Sequence, residues 1–229
     1  MVNPIILNFE TELPMEKNYD CLIPVGGFSS RMGRWKPALT WGSETVIERV
    51  VSEARGAGCR VIVLGGHNFA LLKEIFGWNS NLAIRSIPRE KHKMPFLLKE
   101  VDWNLGMDAT IRSGLDELQG DRFFVVPGDM PLIRSEDYIR LASFEEKPIV
   151  RPVFDGKPGH PVLLDRRMAD LIKKAAAGTP IRDLMDKKNT SLVHWDHGRV
   201  VWDLDTEDDY YKLKRRYVEI AIDTDGEFL

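Results

Sequence analysis

The densest chemistry in the chain lies in residues 24–36, PVGGFSSRMGRWK, where glycines, hydroxyls and cations crowd into one loop directly after the apolar run 21–25. Pro24 and Val25 close that run and aim the loop. Gly26 and Gly27 let backbone approach a ligand closely, and successive N–H groups in such a turn form an anion-binding concavity. Ser29 and Ser30 add hydroxyl donors. Arg31, Arg34 and Lys36 bring fixed positive charge, arginine as a fork and lysine as a compact point. This set of residues suits a phosphate chain, and a nucleoside triphosphate is its natural guest.

Two commoner glycine-rich loops are excluded by spacing. A P-loop requires G-x-x-x-x-G-K-[ST], whereas Gly27 and Gly33 are six positions apart and Gly33 is followed by Arg34 and Trp35. A dinucleotide fingerprint requires G-x-G-x-x-G and an acidic residue ending the second strand. Here the second strand candidate, residues 60–64, runs into Gly65 and Gly66. A dehydrogenase reading is disfavoured on both counts.

Carboxylates stand at two further places. The run VVPGDMPLI sets Gly128, Asp129 and Met130 directly after a buried strand at 123–127. A carboxylate there, beside a triphosphate, is a candidate Mg²⁺ ligand, because Mg²⁺ is held by one or two carboxylates together with phosphate oxygens. The plain alternative is a turn aspartate before Met-Pro. The second place is WDLDTEDDY, residues 202–210. Alternation over 200–204 predicts a strand that projects Asp203 and Asp205 to one face, where two carboxylates need a cation or donors between them. Asp205 or Thr206 also reads as the cap of a helix starting at Glu207. Between these carboxylates lies GKPGHPVLL, in which His160 is suited either to meeting a substrate or to bracing a turn.

The elements that must position these groups alternate. Helical spacing is expected over 45–54, 69–76, 165–177 and 207–218, with Met107, Ile111, Leu115 and Leu118 lining one face of another helix. Strands are expected over 60–64, 82–87, 123–127, 149–154 and 200–204, and residues 88–95, PREKHKMP, read as a polar loop. Strands alternating with helices imply an α/β protein whose mostly parallel sheet is covered on both faces. Ligands bind such sheets outside the carboxyl ends of the strands, where the phosphate loop and Asp129 both fall.

Composition narrows the classes. At 229 residues the chain can form one sizeable domain, and the expected division is an N-terminal extension at 1–18, a domain at 19–220 and a tail at 221–229. A formal net charge of −3 argues against nucleic acid as a partner. Cys21 and Cys59, without C-x-x-C spacing, read as buried reduced thiols and imply a cytoplasmic setting. The N-terminal apolar run 4–7 is too short for a membrane span or export signal.

The loop resembles the signature of the nucleotidyltransferases that act on the molybdenum cofactor, apolar-A-[AG]-G-x-S-x-R-M-G-x-x-K, with Val25 where that family usually has Ala. Four further stretches are similar to family motifs in the same order. NLGMDATIRSGL looks like G-M-x-x-S-I-x-x-G-L with Thr110 for Ser, GDMP like the metal-binding motif, GKPGHPVLL like G-x-x-G-H-P-V-L, and LDTEDD like D-[IV]-D-T-P-E-D with departures at Leu204, Glu207 and Asp208. The resemblance implies a three-layer, Rossmann-like nucleotidyltransferase fold and transfer of a nucleoside monophosphate to a phosphorylated acceptor, with pyrophosphate leaving. It implies catalytic roles for Arg31, Lys36 and Asp129 and nucleotide contacts from Pro24, Val25, Gly26, Gly27, Ser29, Ser30, Gly33, Gly106, Met107 and Thr110. Mg²⁺ would sit on Asp129 with Asp203 or Asp205, Asp203 being favoured, and His160 would either meet the acceptor or brace its turn, bracing being favoured. Gly26-Gly27 leans to GTP, whereas SSRMG, GHPVLL and LDT lean to CTP, which is favoured. Molybdopterin is the family's best-known acceptor, and related proteins act on sugar phosphates. A guanylyltransferase or sugar-phosphate enzyme is the rival within enzymes; a non-catalytic nucleotide- or cofactor-binding module is the rival outside them.

Overall fold

A computed structural model describes residues 18–25, 27, 32–77, 96–144, 147–185 and 187–225. Gly26, Ser29, Ser30 and Arg31, the strand expected at 82–87, the loop at 88–95 and most of the N-terminal extension lie outside them.

The first strand, β1 (Tyr19–Val25), is buried along its whole length, as a strand covered on both faces must be. It pairs in parallel with β4 (Arg60–Gly65) on one side and β6 (Arg122–Val125) on the other. Between β1 and β4 the chain forms a small hairpin, β2 (Thr40–Trp41) and β3 (Glu44–Thr45), then α1 (Val46–Gly56). Thr45 and Glu48 form a reciprocal capping box that fixes the start of α1. After β4 come α2 (Phe69–Ile75), β5 (Phe96–Glu100) and α3 (Gly106–Gly114). β6 is followed by α4 (Ser135–Ala142), β7 (Ile149–Phe154), β8 (Lys157–Pro158), β9 (Val162–Asp165), α5 (Arg166–Lys174), β10 (Thr190–His194) and α6 (Glu207–Asp225).

Among the described residues the strands form an eight-stranded sheet in the order β10-β7-β9-β6-β1-β4-β5, with β8 paired to β7. β9 runs antiparallel to both β6 and β7, while β1, β4, β5, β6, β7 and β10 run one way. The expected α/β three-layer, mostly parallel architecture is therefore observed. One face of the sheet packs Val50, Val51 and Ala54 of α1 with Tyr138 and Leu141 of α4. The other packs Ile111 of α3 with Met168, Ala169 and Ile172 of α5. Cys21 and Cys59 are buried free thiols, and burial raises both well above the ordinary range. A buried Asp20 accepts from Arg60 Nη1 at 2.7 Å and from the backbone N–H groups of Gln119 and Gly120 at 2.6 and 2.7 Å, tying β1 and β4 to the turn before β6.

One expectation is overturned. Residues 200–204 do not form a strand: Val200 ends a short 3₁₀ turn, Gly198–Val200, and the chain then crosses the carboxyl ends of the strands without joining the sheet. The reason is that β10, from 190, already occupies the edge beside β7. Val200 and Leu204 are nevertheless fully buried, so the alternation reflects burial against separate neighbours instead of a ladder. Leu204 packs with Trp41, Val46 and Leu132 in a third cluster, which also receives Tyr210 and Leu213 of α6. Met107 likewise departs from the apolar face of α3, being 50% exposed while Ile111, Leu115 and Leu118 are buried.

No helix among the described residues is long and apolar enough to cross a membrane.

Candidate active site

The carboxyl ends of β1 and β6 lie side by side, and their loops create the site. Gly128 donates its N–H to Pro24 O at 3.2 Å, and a Cβ at Gly128 would lie 2.1 Å from Val25 Cγ1, so only glycine admits this approach. Immediately beyond, Asp129 turns its carboxylate into a cavity lined by Pro24, Val25, Gly27, Lys36, Met107 and Asp129, with Pro37, Pro127 and Gly128 completing the wall. Lys36 opens a 3₁₀ turn, Lys36–Ala38, whose Pro37 fixes the backbone behind it.

Lys36 Nζ stands between two carboxylates. It donates to Asp205 Oδ1 at 2.9 Å and lies 3.4 Å from Asp129 Oδ2. The ammonium is the least exposed of the three, at 12% against 27% for Asp129 and 42% for Asp205, so this is a partly desolvated cluster. Asp129 is held above the ordinary carboxylate range by burial, with Asp203 adding repulsion and Lys36 opposing both. Asp203 is raised by its own burial and by Asp205. Three carboxylates around one ammonium therefore carry surplus negative charge, which a cation relieves.

The segment bearing Asp203 and Asp205 is anchored at both ends. Leu204 donates its N–H to Asp129 O at 3.0 Å, joining the two carboxylate-bearing loops directly. Thr206 and Asp209 cap α6 through reciprocal bonds, Thr206 N to Asp209 Oδ2 at 2.8 Å and Asp209 N to Thr206 Oγ1 at 3.2 Å. The cap is thus Thr206, and Asp205 meets Lys36. Trp202 lies over Gly198, with the Arg216 guanidinium 3.6 Å from its ring centroid.

The structure thus brings Pro24, Val25, Gly27, Lys36, Met107 and Asp129 around one cavity, with Asp205 on Lys36. Gly106, with φ of +84°, precedes Met107 at the start of α3. Thr110 is set back: it is buried, and its hydroxyl donates to Gly106 O at 3.1 Å. Gly33 has a φ of +60°, in the left-handed region that favours glycine. His160 is separate from the carboxylate cluster; its Nδ1 lies 3.3 Å from Val125 O, and burial, with the Arg151 charge adding to it, pushes its pKa down to about 4. Pro37 and Pro127 were not singled out by residue type, since their contribution is backbone rigidity at strand and loop ends. Their signal in the sequence is adjacency to Lys36 and Gly128.

A mostly parallel sheet with a glycine-rich loop after its first strand and a lysine–carboxylate cluster at neighbouring strand ends defines a Rossmann-like, nucleotide-handling protein. Residues 21–192 match the MobA-like NTP transferase domain, and the chain belongs to that family. It is 26% identical over 201 residues to the molybdenum cofactor cytidylyltransferase of Escherichia coli (strain K12), covering 88% of this chain and 98% of the relative. In fold it is similar to a nucleotidyl transferase from Methanothermobacter thermautotroptrophicus (TM-score 0.71, 17% identity, 89% and 99% of the two chains). It is also similar to a manganese complex of a Mycobacterium tuberculosis H37Rv protein (TM-score 0.63, 16% identity, 87% and 98%).

Proposed function

We propose that this NTP transferase moves CMP from CTP to a phosphorylated acceptor, of which molybdopterin is the leading candidate, and releases pyrophosphate. The observation that carries the reading is the Lys36 ammonium poised between Asp205 and Asp129 in the cavity that Val25 and Gly27 also line. The E. coli relative named as a cytidylyltransferase, matched over nearly its whole length, supports the choice of CTP. Gly26-Gly27 is the feature that favours GTP.

In this reading Gly26, Gly27, Ser29, Ser30 and Gly33 cradle the β- and γ-phosphates, Arg31 offsets charge on the departing pyrophosphate, and Gly106 and Met107 border the nucleoside, with Thr110 bracing the turn that carries them. Lys36 releases its carboxylates as the triphosphate enters and follows the α-phosphate, where charge builds as the acceptor oxygen attacks in line. No covalent bond to the protein is needed, so positioning and charge neutralisation do most of the work. A divalent cation, Mg²⁺ by preference, would be held by Asp129 with Asp203 or Asp205. The fit is chemical: the donors are all oxygen, they carry surplus negative charge, and one or two carboxylates are what Mg²⁺ takes when phosphates complete its shell. The cation supplies Lewis-acid stabilisation of phosphate charge. Asp203 is the preferred partner of Asp129, a reading supported by the repulsion that already couples the two carboxylates.

The test is calorimetric titration of the protein with CTP, GTP, ATP and UTP, each with and without Mg²⁺, followed by pyrophosphate release with molybdopterin. Magnesium-dependent binding of CTP with turnover is expected. Tighter GTP binding would replace the base assignment, and tight binding without turnover on any phosphorylated acceptor would favour a nucleotide-binding module.

A further inference from the structure

Arg151 interrupts the apolar strand β7, IVRPVF, with Val150 and Pro152 buried on either side of it. Alternation places it on the face of Ile149, which packs with α3 and α5. Ile149 pairs with Leu164, Val150 with Leu163, and Val125 with Val162. Continuing that register sets Arg151 opposite Val162 and level with Val125, the last residue of β6. Arg151 therefore belongs to the same end of the sheet as Gly128 and Asp129, two strands away.

Its guanidinium is half-buried and poorly matched. Among the described residues its one hydrogen bond runs from Nη2 to Gly159 O at a long 3.3 Å, and its buried Nε has no partner. Other partly buried arginines here are better served: Arg60 and Arg199 meet carboxylates, Asp20 at 2.7 Å and Asp137 at 3.1 Å, while Arg112 and Arg166 donate to the carbonyls of Thr179 at 2.8 Å and Leu118 at 2.9 Å. A guanidinium cannot shed its proton, so burial without a counter-charge costs the fold stability. Desolvation alone lowers its pKa, with no carboxylate acting against it. His160 beside it is neutral above about pH 4 and adds no negative charge.

We propose that Arg151 binds the phosphate of the acceptor, holding that dianion at the edge of β7 so that its oxygen faces the nucleotide bound between β1 and β6. The proposal rests on the transferase reading. Arginine supplies a fork for two phosphate oxygens, which an unpaired guanidinium at this place offers without first breaking an ion pair.

The experiment uses Arg151→Met, which keeps an unbranched apolar stem and removes the guanidinium with its charge. With the nucleotide site filled by a non-hydrolysable α,β-methylene CTP analogue and Mg²⁺, the protein is titrated calorimetrically with phenyl phosphate. The variant is expected to bind the analogue as the wild type does and phenyl phosphate at least tenfold more weakly. Its thermal midpoint should equal or exceed that of the wild type, because no ion pair is lost; a structural brace would lower it. Unchanged phenyl phosphate affinity, no wild-type affinity for it, a lowered midpoint, or weakened binding of the analogue would each overturn the proposal, the last by assigning Arg151 to the nucleotide. Failure of the wild type to bind any nucleotide would strike the transferase reading instead. Phenyl phosphate binding to the ligand-free proteins would then still decide the role of Arg151.

Discussion

His160 makes the stability of this protein depend on pH in a way that can be worked out in advance. Burial pushes its folded-state pKa down to about 4 from the ordinary value of 6.5. The unfolded chain therefore takes up a proton near pH 6.5 that the folded chain refuses until about pH 4. A depressed folded value means that the contribution is fully present above the unfolded pKa and is lost as pH falls. The difference, 6.5 − 4 = 2.5 units, corresponds to about 3.4 kcal/mol at 1.36 kcal/mol per unit. Evaluated along the titration, about 1.4 kcal/mol is gone by about pH 5.5 and about 2.5 kcal/mol by about pH 4.5. Against a typical stability of roughly 5–15 kcal/mol this is a large share. The assay is urea unfolding of wild type and His160→Asn at about pH 7.5, 6.5, 5.5 and 4.5, with the difference between the two proteins isolating His160 from every other titrating group. Asn retains a donor for Val125 O but cannot protonate. Parallel pH profiles for the two proteins would refute the reasoning, because they would mean that the imidazole gains its proton as readily folded as unfolded.

Four other outcomes are expected. Lys36→Ala should lower kcat by about 10²-fold or more with an unchanged circular dichroism spectrum, since its charge acts where phosphate charge develops; wild-type turnover would remove it from the site. Asp129→Asn should lower kcat similarly yet leave the urea midpoint at neutral pH unchanged or raised, because burial and Asp203 already disfavour the ionised carboxylate in the folded state. Gly128→Ala should destabilise by roughly 1–3 kcal/mol, read as a lower thermal midpoint, because its Cβ would sit 2.1 Å from Val25 Cγ1. Asp20→Ala, which leaves the Arg60 charge without its 2.7 Å partner, should cost roughly 3–5 kcal/mol in urea unfolding; a loss under 1 kcal/mol would show that water reaches Arg60 easily.

The layered sheet was legible in the sequence because its central strands are unbroken apolar runs and its helices carry apolar residues at helical spacing. α1 shows this well: helical spacing was expected over 45–54, and the helix occupies Val46–Gly56. Residues 200–204 misled because alternating burial was read as a ladder, and burial has the same period whether or not a neighbouring strand supplies hydrogen bonds. β5, FLLKE, and β10, TSLVH, were overlooked because short runs of this kind carry little periodicity of their own. The chemistry of the site was readable as residue types: Lys36 and Asp129 were named from their loops, and both line one cavity. Which carboxylate Lys36 meets was not readable, since Asp203 and Asp205 are two residues apart and only the course of the chain past Asp129 separates them. Arg151 escaped notice because one cation inside an apolar strand gives no motif; its meaning lies in the missing partner, which only three dimensions reveal.

The bond between Lys36 and Asp205 joins positions 169 residues apart. The strands flanking the phosphate-binding loop, β1, β4 and β6, pair without any contribution from the segment that bears Asp205. The loop that delivers Asp203 and Asp205 comes late, and it is secured by α6, whose Tyr210 hydroxyl donates to Thr40 O at 2.6 Å. A ribosome-bound chain halted before that helix would hold an ammonium without its full set of carboxylates. The alignment of the ammonium with its carboxylates is thus a long-range property of the fold, set as much by the docking of α6 as by the loop that carries Lys36.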